Sequence, residues 1–387
     1  MSAVHRPVMN VLMTCSGDAG TGGVQQVFRD LIRALEAEGR RVILVYQAAL
    51  PQARLTRGPN SWGRDAFYCA MPTLVNGSVV LGMLTLLIYL PITLFHLLRL
   101  MRRYGIGAIN AHYLAESFLH LVIAGRLSGV PVIVSVHGAD IDRYAVAGRA
   151  PRLLLRLVMR GATKVVACSA AMAAQTLETF PVVRGKVTHV HNGLDIAELA
   201  SRPPAGPVRT PFVLSVARQV EKKGIDTLLR AFALLQHDFT DLSLVVIGDG
   251  PTLASNRALA RTLGIDARVH FLGSLAPADV RPYLCACSVF VVPSRAEPFG
   301  LVVLEAAQYR KGLVCTRVGG IPEIITDNVS GLLVERDDAA GMAAGIATLL
   351  RDPALASRLG ANAHDVLMQR FRWKDRVRDY IAVYEGA

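Results

Sequence analysis

The sequence predicts an α/β protein built from two doubly wound parallel sheets in series, and three observations carry this. Short, β-rich apolar runs alternate with amphipathic helical patterns through both halves of the chain. A proline-dense stretch with Pro203, Pro204, Pro207 and Pro211 separates those halves. The 387 residues are too many for one ordinary core and suit two.

In the first half, residues 8–14 read as a strand, 16–23 as a glycine-rich loop and 24–38 as an amphipathic helix stopped by Gly39. Further strands are expected at 42–46, 108–111, 132–136, 164–168 and 187–191, with helical patterns between most of them. Beyond the prolines the rhythm restarts with a strand at 212–216, a helix at 226–235 and a strand at 243–247 that ends in Gly248-Asp249-Gly250. Strands at 269–271, 289–292, 313–315 and 331–334 complete the second sheet. The expected division is a domain at 1–200, a linker at 201–211, a domain at 212–365 and a final helical segment at 366–387. Ligands of such sheets bind beyond the carboxyl ends of the strands, so the site is expected in the cleft between the two domains.

A hydrophobic fraction of 52% and a charged fraction of 19% exclude a disordered chain. The mean hydropathy of +0.37 is high, and much of the excess lies between residues 66 and 98, where no charged residue occurs. Residues 79–98 are long enough to span a bilayer, but Pro91 interrupts them. They read either as a buried helix between strands or as a helix or helical hairpin dipping into one leaflet, with Arg99, Arg102 and Arg103 at the headgroups. Residues 1–195 carry 20 Lys and Arg against 10 Asp and Glu, whereas residues 196–387 carry 22 against 20. The first half therefore calls for an anionic partner. No zinc-finger, helix-turn-helix or aromatic–basic RNA pattern occurs, so a membrane surface is expected rather than nucleic acid. Arg149, Arg152, Arg156 and Arg160 are spaced to share one helix face, either simply solvated or docked on anionic lipid.

The six cysteines form no CxxC pair and read as buried thiols. The apolar run at 8–15 contains Asn10 and is too short for a signal peptide, which makes the cytoplasm the expected compartment.

Glu297-Pro-Phe-Gly-Leu-Val-Val-Leu-Glu305 follows a predicted strand and opens a helix near Gly300. Gly300 would let an anion approach the backbone, and the first-turn amides of Leu301 and Val302 would face a phosphate. Glu297 and Glu305 suit hydrogen bonds from sugar hydroxyls; an ordinary acidic helix start is the plain alternative. Arg218 and Lys223 lie in a basic loop after another strand, and could neutralise a diphosphate leaving group or simply be solvated.

At this point the chain resembles the retaining GT-B glycosyltransferases of family 4. The resemblance runs through Gly22-Gly23-Val24, His112 in Ala-His-Tyr, His137-Gly-Ala-Asp140, Cys168-Ser169 and His191-Asn-Gly-Leu-Asp195. It continues through Arg218 with Lys223-Gly224, Gly248-Asp-Gly-Pro251, the Glu297/Glu305 pair around Phe299-Gly300, Gly319-Gly-Ile-Pro-Glu323 and Phe371-Arg-Trp373. It implies a GT-B fold, with two Rossmann-like domains facing across a cleft and a C-terminal helix crossing back to the first. It also implies transfer of a hexose from a UDP- or GDP-sugar to a lipid-linked or polysaccharide acceptor, of a bacterial surface-polysaccharide or glycolipid type. In that scheme His137, Arg218, Lys223 and Glu297 are catalytic. Gly22, Gly23, Gly248, Gly250, Phe299, Gly300, Leu301, Val302 and Glu305 bind the donor, and His112 and Asp140 lie on the acceptor side. His191-Asn192-Gly193 is architectural.

The resemblance implies no cofactor and no essential metal. The acceptor that the resemblance implies would place the protein, peripheral or monotopic, on the inner face of the cytoplasmic membrane. A nicotinamide dehydrogenase is excluded because Gly17-Asp-Ala-Gly-Thr-Gly-Gly23 does not spell GxGxxG and no acidic residue closes the second strand. A P-loop NTPase lacks its GxxxxGK[ST]. A nucleotide-sugar epimerase on the same fold and a non-catalytic membrane-associated subunit are the remaining alternatives.

Overall fold

Runs such as Val-Ile-Leu-Val-Tyr and Val-Phe-Val-Val are apolar at every position because parallel strands covered on both faces expose neither side to water. A computed structural model describes residues 9–16, 22–48, 53–73, 79–196 and 211–387. The expected linker therefore lies, except for Pro211, outside the described residues, as do residues 17–21 of the glycine-rich loop. The chain divides into two compact units, one of residues 1–193 with 373–387 and one of residues 194–372.

The first unit opens with β1 (Asn10–Cys15), α1 (Gly23–Ala37), β2 (Val42–Gln47), β3 (Thr56–Pro59), β4 (Asp65–Cys69) and α2 (Val79–Tyr104). It continues with β5 (Ile106–His112), α3 (Leu119–Ser128), β6 (Val132–Val136), α4 (Ala139–Val146), α5 (Arg149–Gly161), β7 (Lys164–Ala167), α6 (Ala170–Thr179) and β8 (Val187–His189). Its sheet has the order β3-β4-β2-β1-β5-β6-β7-β8, with only the β3–β4 pair antiparallel. That hairpin was not expected: β3 reads Thr-Arg-Gly-Pro and is mostly exposed, so it lacks the apolar pattern of a strand.

The second unit holds β9 (Phe212–Val216), α7 (Ile225–Leu234), β10 (Ser243–Ile247), α8 (Leu253–Thr262), β11 (Val269–Phe271), α9 (Pro277–Ala286) and β12 (Val289–Val292). It ends with α10 (Leu301–Gln308), β13 (Gly312–Thr316), α11 (Ile321–Ile324), β14 (Leu332–Val334), α12 (Ala339–Arg351) and α13 (Pro353–Arg370). Its sheet is wholly parallel, in the order β11-β10-β9-β12-β13-β14. The core includes Val213, Leu228, Phe232, Leu244, Val246, Val291, Val314 and Ile346, all buried.

The last helix, α14 (Trp373–Glu385), packs on the first unit along α1. Asn110 donates to the Tyr384 hydroxyl at 2.6 Å, and Arg40 pairs with Glu385 at 2.6 Å. Gly193 makes this fit possible: a Cβ there would lie 2.8 Å from the Trp373 Cα and ring.

The apolar segment resolves into one 26-residue helix, α2, which runs through Pro91 instead of being broken there. Pro91 is exposed, so its missing N–H and the carbonyl it leaves unbonded are not sealed inside the unit. The helix is neither wholly buried nor wholly free. Thr93, Leu97, Leu100 and Met101 are buried, whereas Leu87, Ile88 and Phe95 are 66, 60 and 60% exposed. Helix α3 packs against both α2 and α5, as crossovers of one hand running in one direction along the sheet require.

Candidate active site

Apart from the β3–β4 hairpin, the strand order of each sheet reverses at one place, and the crevice there is the natural ligand site of a doubly wound fold. In the second unit this switch point falls between β9 and β12. Arg218 and Lys223 follow β9, and Glu297 follows β12. Two residues 74 apart in sequence thereby meet: Lys223 Nζ donates to Glu297 Oε2 at 2.5 Å. Ser294 Oγ donates to the same oxygen at 3.3 Å. Both side chains of the ion pair are largely buried, whereas Arg218 is exposed.

Glu297 is held from below by the turn after β13. The amide of Gly320 donates to the Glu297 carbonyl at 3.0 Å, and a Cβ on Gly319, whose φ is +52°, would lie 1.9 Å from that oxygen. Only glycine admits this approach, which gives Gly319-Gly320 a packing role. Phe299 is buried against Phe371 at 5.8 Å between ring centroids. Gly300 then caps α10 in a left-handed conformation, φ 110° and ψ 45°. No side chain caps this helix; the Val303 amide donates to the Gly300 carbonyl at 2.9 Å, and the amides of Leu301 and Val302 precede the first intrahelical bond. Glu305 sits in the second turn, half-buried, and burial raises its carboxyl to about 7.

Gly248 and Gly250 close β10 onto the β9 loop. A Cβ on Gly248 would lie 2.0 Å from the Ala217 carbonyl oxygen, and one on Gly250 2.3 Å from that of Gln219. Gln219 ties the two loops together. Its side chain donates to the Gly248 carbonyl at 3.0 Å and accepts from Asn256 Nδ2 at 2.9 Å.

In the first unit the reversal falls between β1 and β5. Gly22 and Gly23 start α1 after β1 and are exposed; Gly22 is its N-cap, with no side-chain acceptor. His112 ends β5 and His137 follows β6. The two rings stack at 5.4 Å, with His112 Nδ1 3.1 Å from His137 Nε2. His112 is fully buried, with Phe28 edge-on at 5.1 Å and Tyr380 stacked at 6.3 Å. Burial holds both rings below the ordinary histidine range, helped at His112 by His137 and opposed at His137 by Asp140. They therefore form a neutral pair in which one ring nitrogen donates and the other accepts.

The Asp140 carboxylate is directed to backbone. One oxygen accepts from the amides of His137 and Gly138 at 3.0 and 2.8 Å, the other from Leu114 at 2.9 Å. It thus fixes the loops carrying both histidines.

Sequence reasoning passed over Ser294, Gln219 and Arg295. Each lies within a few residues of a singled-out motif, but only spatial neighbours give it meaning. Arg295 donates to Asp226 and Asp337 and to the Glu221 carbonyl.

Two family models together match most of the chain: "Glycosyltransferase Family 4" over residues 21–198 and "Glycosyl transferases group 1" over residues 199–366. A D-inositol 3-phosphate glycosyltransferase from Catenulispora acidiphila is 33% identical over 304 residues, covering 72% of each chain. A glycogen synthase from Mycobacterium tuberculosis is 29% identical over 266 residues; the match covers 67% of this chain and 64% of the synthase. Among solved structures, Anabaena Alr3699/HepE in complex with UDP and glucose superposes with a TM-score of 0.73 at 20% identity, covering 98% of this chain and all of the other. Two Rossmann-like sheets with reversed strand order, followed by a closing helix, are the GT-B architecture, and the chain belongs to the family 4 glycosyltransferases.

Proposed function

We propose that this protein transfers a hexose from a UDP- or GDP-sugar to a lipid-linked or polysaccharide acceptor at the cytoplasmic face of a membrane, with retention at the anomeric carbon. The observation that carries this reading is the Lys223–Glu297 pair at the switch point, beside the uncapped start of α10. Without ligand, the two charges neutralise each other. A donor diphosphate on the amides of Leu301 and Val302 would draw Lys223 to itself, with Arg218 adding a second cation, and free Glu297 to accept from sugar hydroxyls. Glu305, one turn further on, would take the ribose diol.

Departure of the nucleoside diphosphate builds negative charge, which pre-placed cations and amides stabilise most in the transition state. The acceptor oxygen bonds to the anomeric carbon on the face the diphosphate leaves, the old carbon–oxygen bond breaks, and the leaving phosphate oxygen takes the acceptor proton. The protein then needs neither a nucleophilic carboxylate nor a metal. On the first unit, His112 and the backbone that Asp140 holds orient the His137 ring.

The membrane part of the reading rests on one face of the first unit. The exposed apolar residues Leu87, Ile88, Pro91 and Phe95 of α2 lead into exposed Arg99, Arg102 and Arg103. On α5, Leu153 and Leu157 are 59 and 41% exposed among Arg149, Arg156 and Arg160. Apolar residues between cations suit an anionic lipid interface. The half-buried packing of α2 favours a helix lying in that interface over one crossing it.

Calorimetric titration with UDP, GDP and their sugars, with and without EDTA, tests the donor site. Micromolar binding of one nucleotide, insensitive to EDTA and lost in Lys223→Ala, supports the proposal. Absence of binding by every nucleotide refutes it, and epimer formation from the sugar nucleotide alone would point to an epimerase.

A further inference from the structure

Arg295 lies two residues before Glu297 and beside the loop of Lys223, where an arginine would ordinarily be taken for a phosphate ligand. Its hydrogen bonds argue otherwise. A guanidinium has five N–H donors. Here Nε donates to Asp337 Oδ1 at 2.6 Å. Nη1 donates to the Glu221 carbonyl at 2.7 Å and to Asp226 Oδ1 at 2.8 Å. Nη2 donates to Asp226 Oδ2 at 2.7 Å and to Thr227 Oγ1 at 3.2 Å. All five donors are taken by protein acceptors, and none remains for a ligand.

What those acceptors have in common is the segment that carries Lys223. Residues 221–223 form a single 3₁₀ turn with no side-chain cap, a unit too short to hold its own shape. Asp226 and Thr227 open α7 immediately after it. The backbone of Arg295 grips the same turn, its amide donating to the Lys222 carbonyl at 2.8 Å. Gly224, with φ +63°, brings the turn so close to β12 that a Cβ would lie 2.0 Å from the Pro293 carbonyl oxygen. Asp337 also has a positive φ of 63°, a conformation few non-glycine residues adopt, and it presents its carboxylate to Arg295.

We infer that Arg295 is a positioning residue: it clamps the 221–227 segment onto the loop of Glu297 and so fixes Lys223 where a donor diphosphate would bind. The functional half of this inference rests on the proposed donor site; the structural half does not. Lysine has a long, flexible stem and a point charge, so its placement depends on the backbone beneath it. The fork of Arg295 supplies that backbone with a rigid, planar anchor, which lysine at the same position would not reproduce.

Two measurements on the full chain test it. In hydrogen exchange without nucleotide, Arg295→Lys should speed exchange at the amides of Lys223 and Gly224, while β9 and β12 keep their protection. Unchanged protection in that turn overturns the clamp. In calorimetry with UDP and GDP, Arg295→Lys should weaken the nucleotide that binds by about tenfold, the scale of one charged hydrogen bond. Lys223→Ala should weaken it at least as much, and the double variant should bind within about twofold of Lys223→Ala alone. Losses that multiply in the double variant would mean that Arg295 does not act through Lys223, and would overturn the functional half. Asp337→Asn, which alters the acceptor of Nε and of the Thr227 hydroxyl but leaves Asp226 and the Glu221 carbonyl in place, should move both readouts the same way by less, and it serves if Arg295→Lys does not fold. If the wild type binds neither nucleotide, the donor-site reading and the functional half fall together, and the exchange data alone decide the clamp.

Discussion

Glu305→Gln sets a folding property of the site against its ligand property. The Glu305 carboxyl is raised from 4.5 to about 7 by burial in the second turn of α10. Between those values the folded protein keeps a proton that the unfolded chain has released. The stability this confers is complete below pH 4.5, falls as pH rises, and is gone above about 7. A shift of that size is worth ~3 kcal/mol at full burial, and about 1–3 kcal/mol for a half-buried group that water partly screens. Glutamine cannot ionise, so the variant should gain on the wild type by that amount between pH 4.5 and pH 8. Urea unfolding of both proteins at several pH values, followed by circular dichroism, measures it. A difference that stays constant with pH, or grows toward acid, would refute the reasoning.

The same residue predicts a signal on binding. A ribose diol donating to Glu305 favours its ionised form, so nucleotide binding near pH 7 should release part of a proton. Titrations in buffers of differing ionisation enthalpy read that release. Binding heats that do not depend on the buffer would remove Glu305 from the nucleotide site.

Other consequences of the structure are open to simpler tests. Glu297→Gln should cut sugar transfer about 10²–10³-fold while the protein stays folded, the scale of losing one pre-placed electrostatic group; near-normal turnover would sink the assignment. Reversing charge at Arg156 and Arg160 should reduce partition onto anionic liposomes and leave nucleotide affinity intact, whereas unchanged partition would remove α5 from the proposed docking face. Tyr384→Phe strips the buried Asn110 side chain of its 2.6 Å acceptor and should cost about 1–3 kcal/mol, read as a lower unfolding midpoint by calorimetry. No change there would mean that α14 is not anchored through this bond.

Sequence alone determined the elements whose signal is local. All-apolar runs mark strands buried on both faces, and glycine marks helix ends and close turns. The Glu297-to-Glu305 run shows a strand giving way to a helix start, because capping and helix periodicity are set within a few residues. Arg149, Arg152, Arg156 and Arg160 do lie on one helix, as their spacing required. The fold decided that Arg152 turns aside, its guanidinium 5.5 Å from the Tyr144 ring and donating to the Ala145 carbonyl at 3.0 Å. That leaves the exposed leucines and the other arginines as the outward face.

Local pattern was equally silent on β3, whose exposed edge needs no apolar alternation, and on α2, whose uniform composition hides which side is covered. Strand order was beyond reach, because it is a choice of spatial neighbours and leaves no mark in spacing. That order alone brings Lys223 to Glu297 across 74 residues and His112 to His137 across 25. It also turns Arg295, an unremarked basic residue in the sequence, into the group that consumes all five of its donors in holding the turn of Lys223. Residue type and spacing fix what a segment can form. Which segments share a switch point is settled only when the sheet is assembled and its buried polar groups must each find a partner.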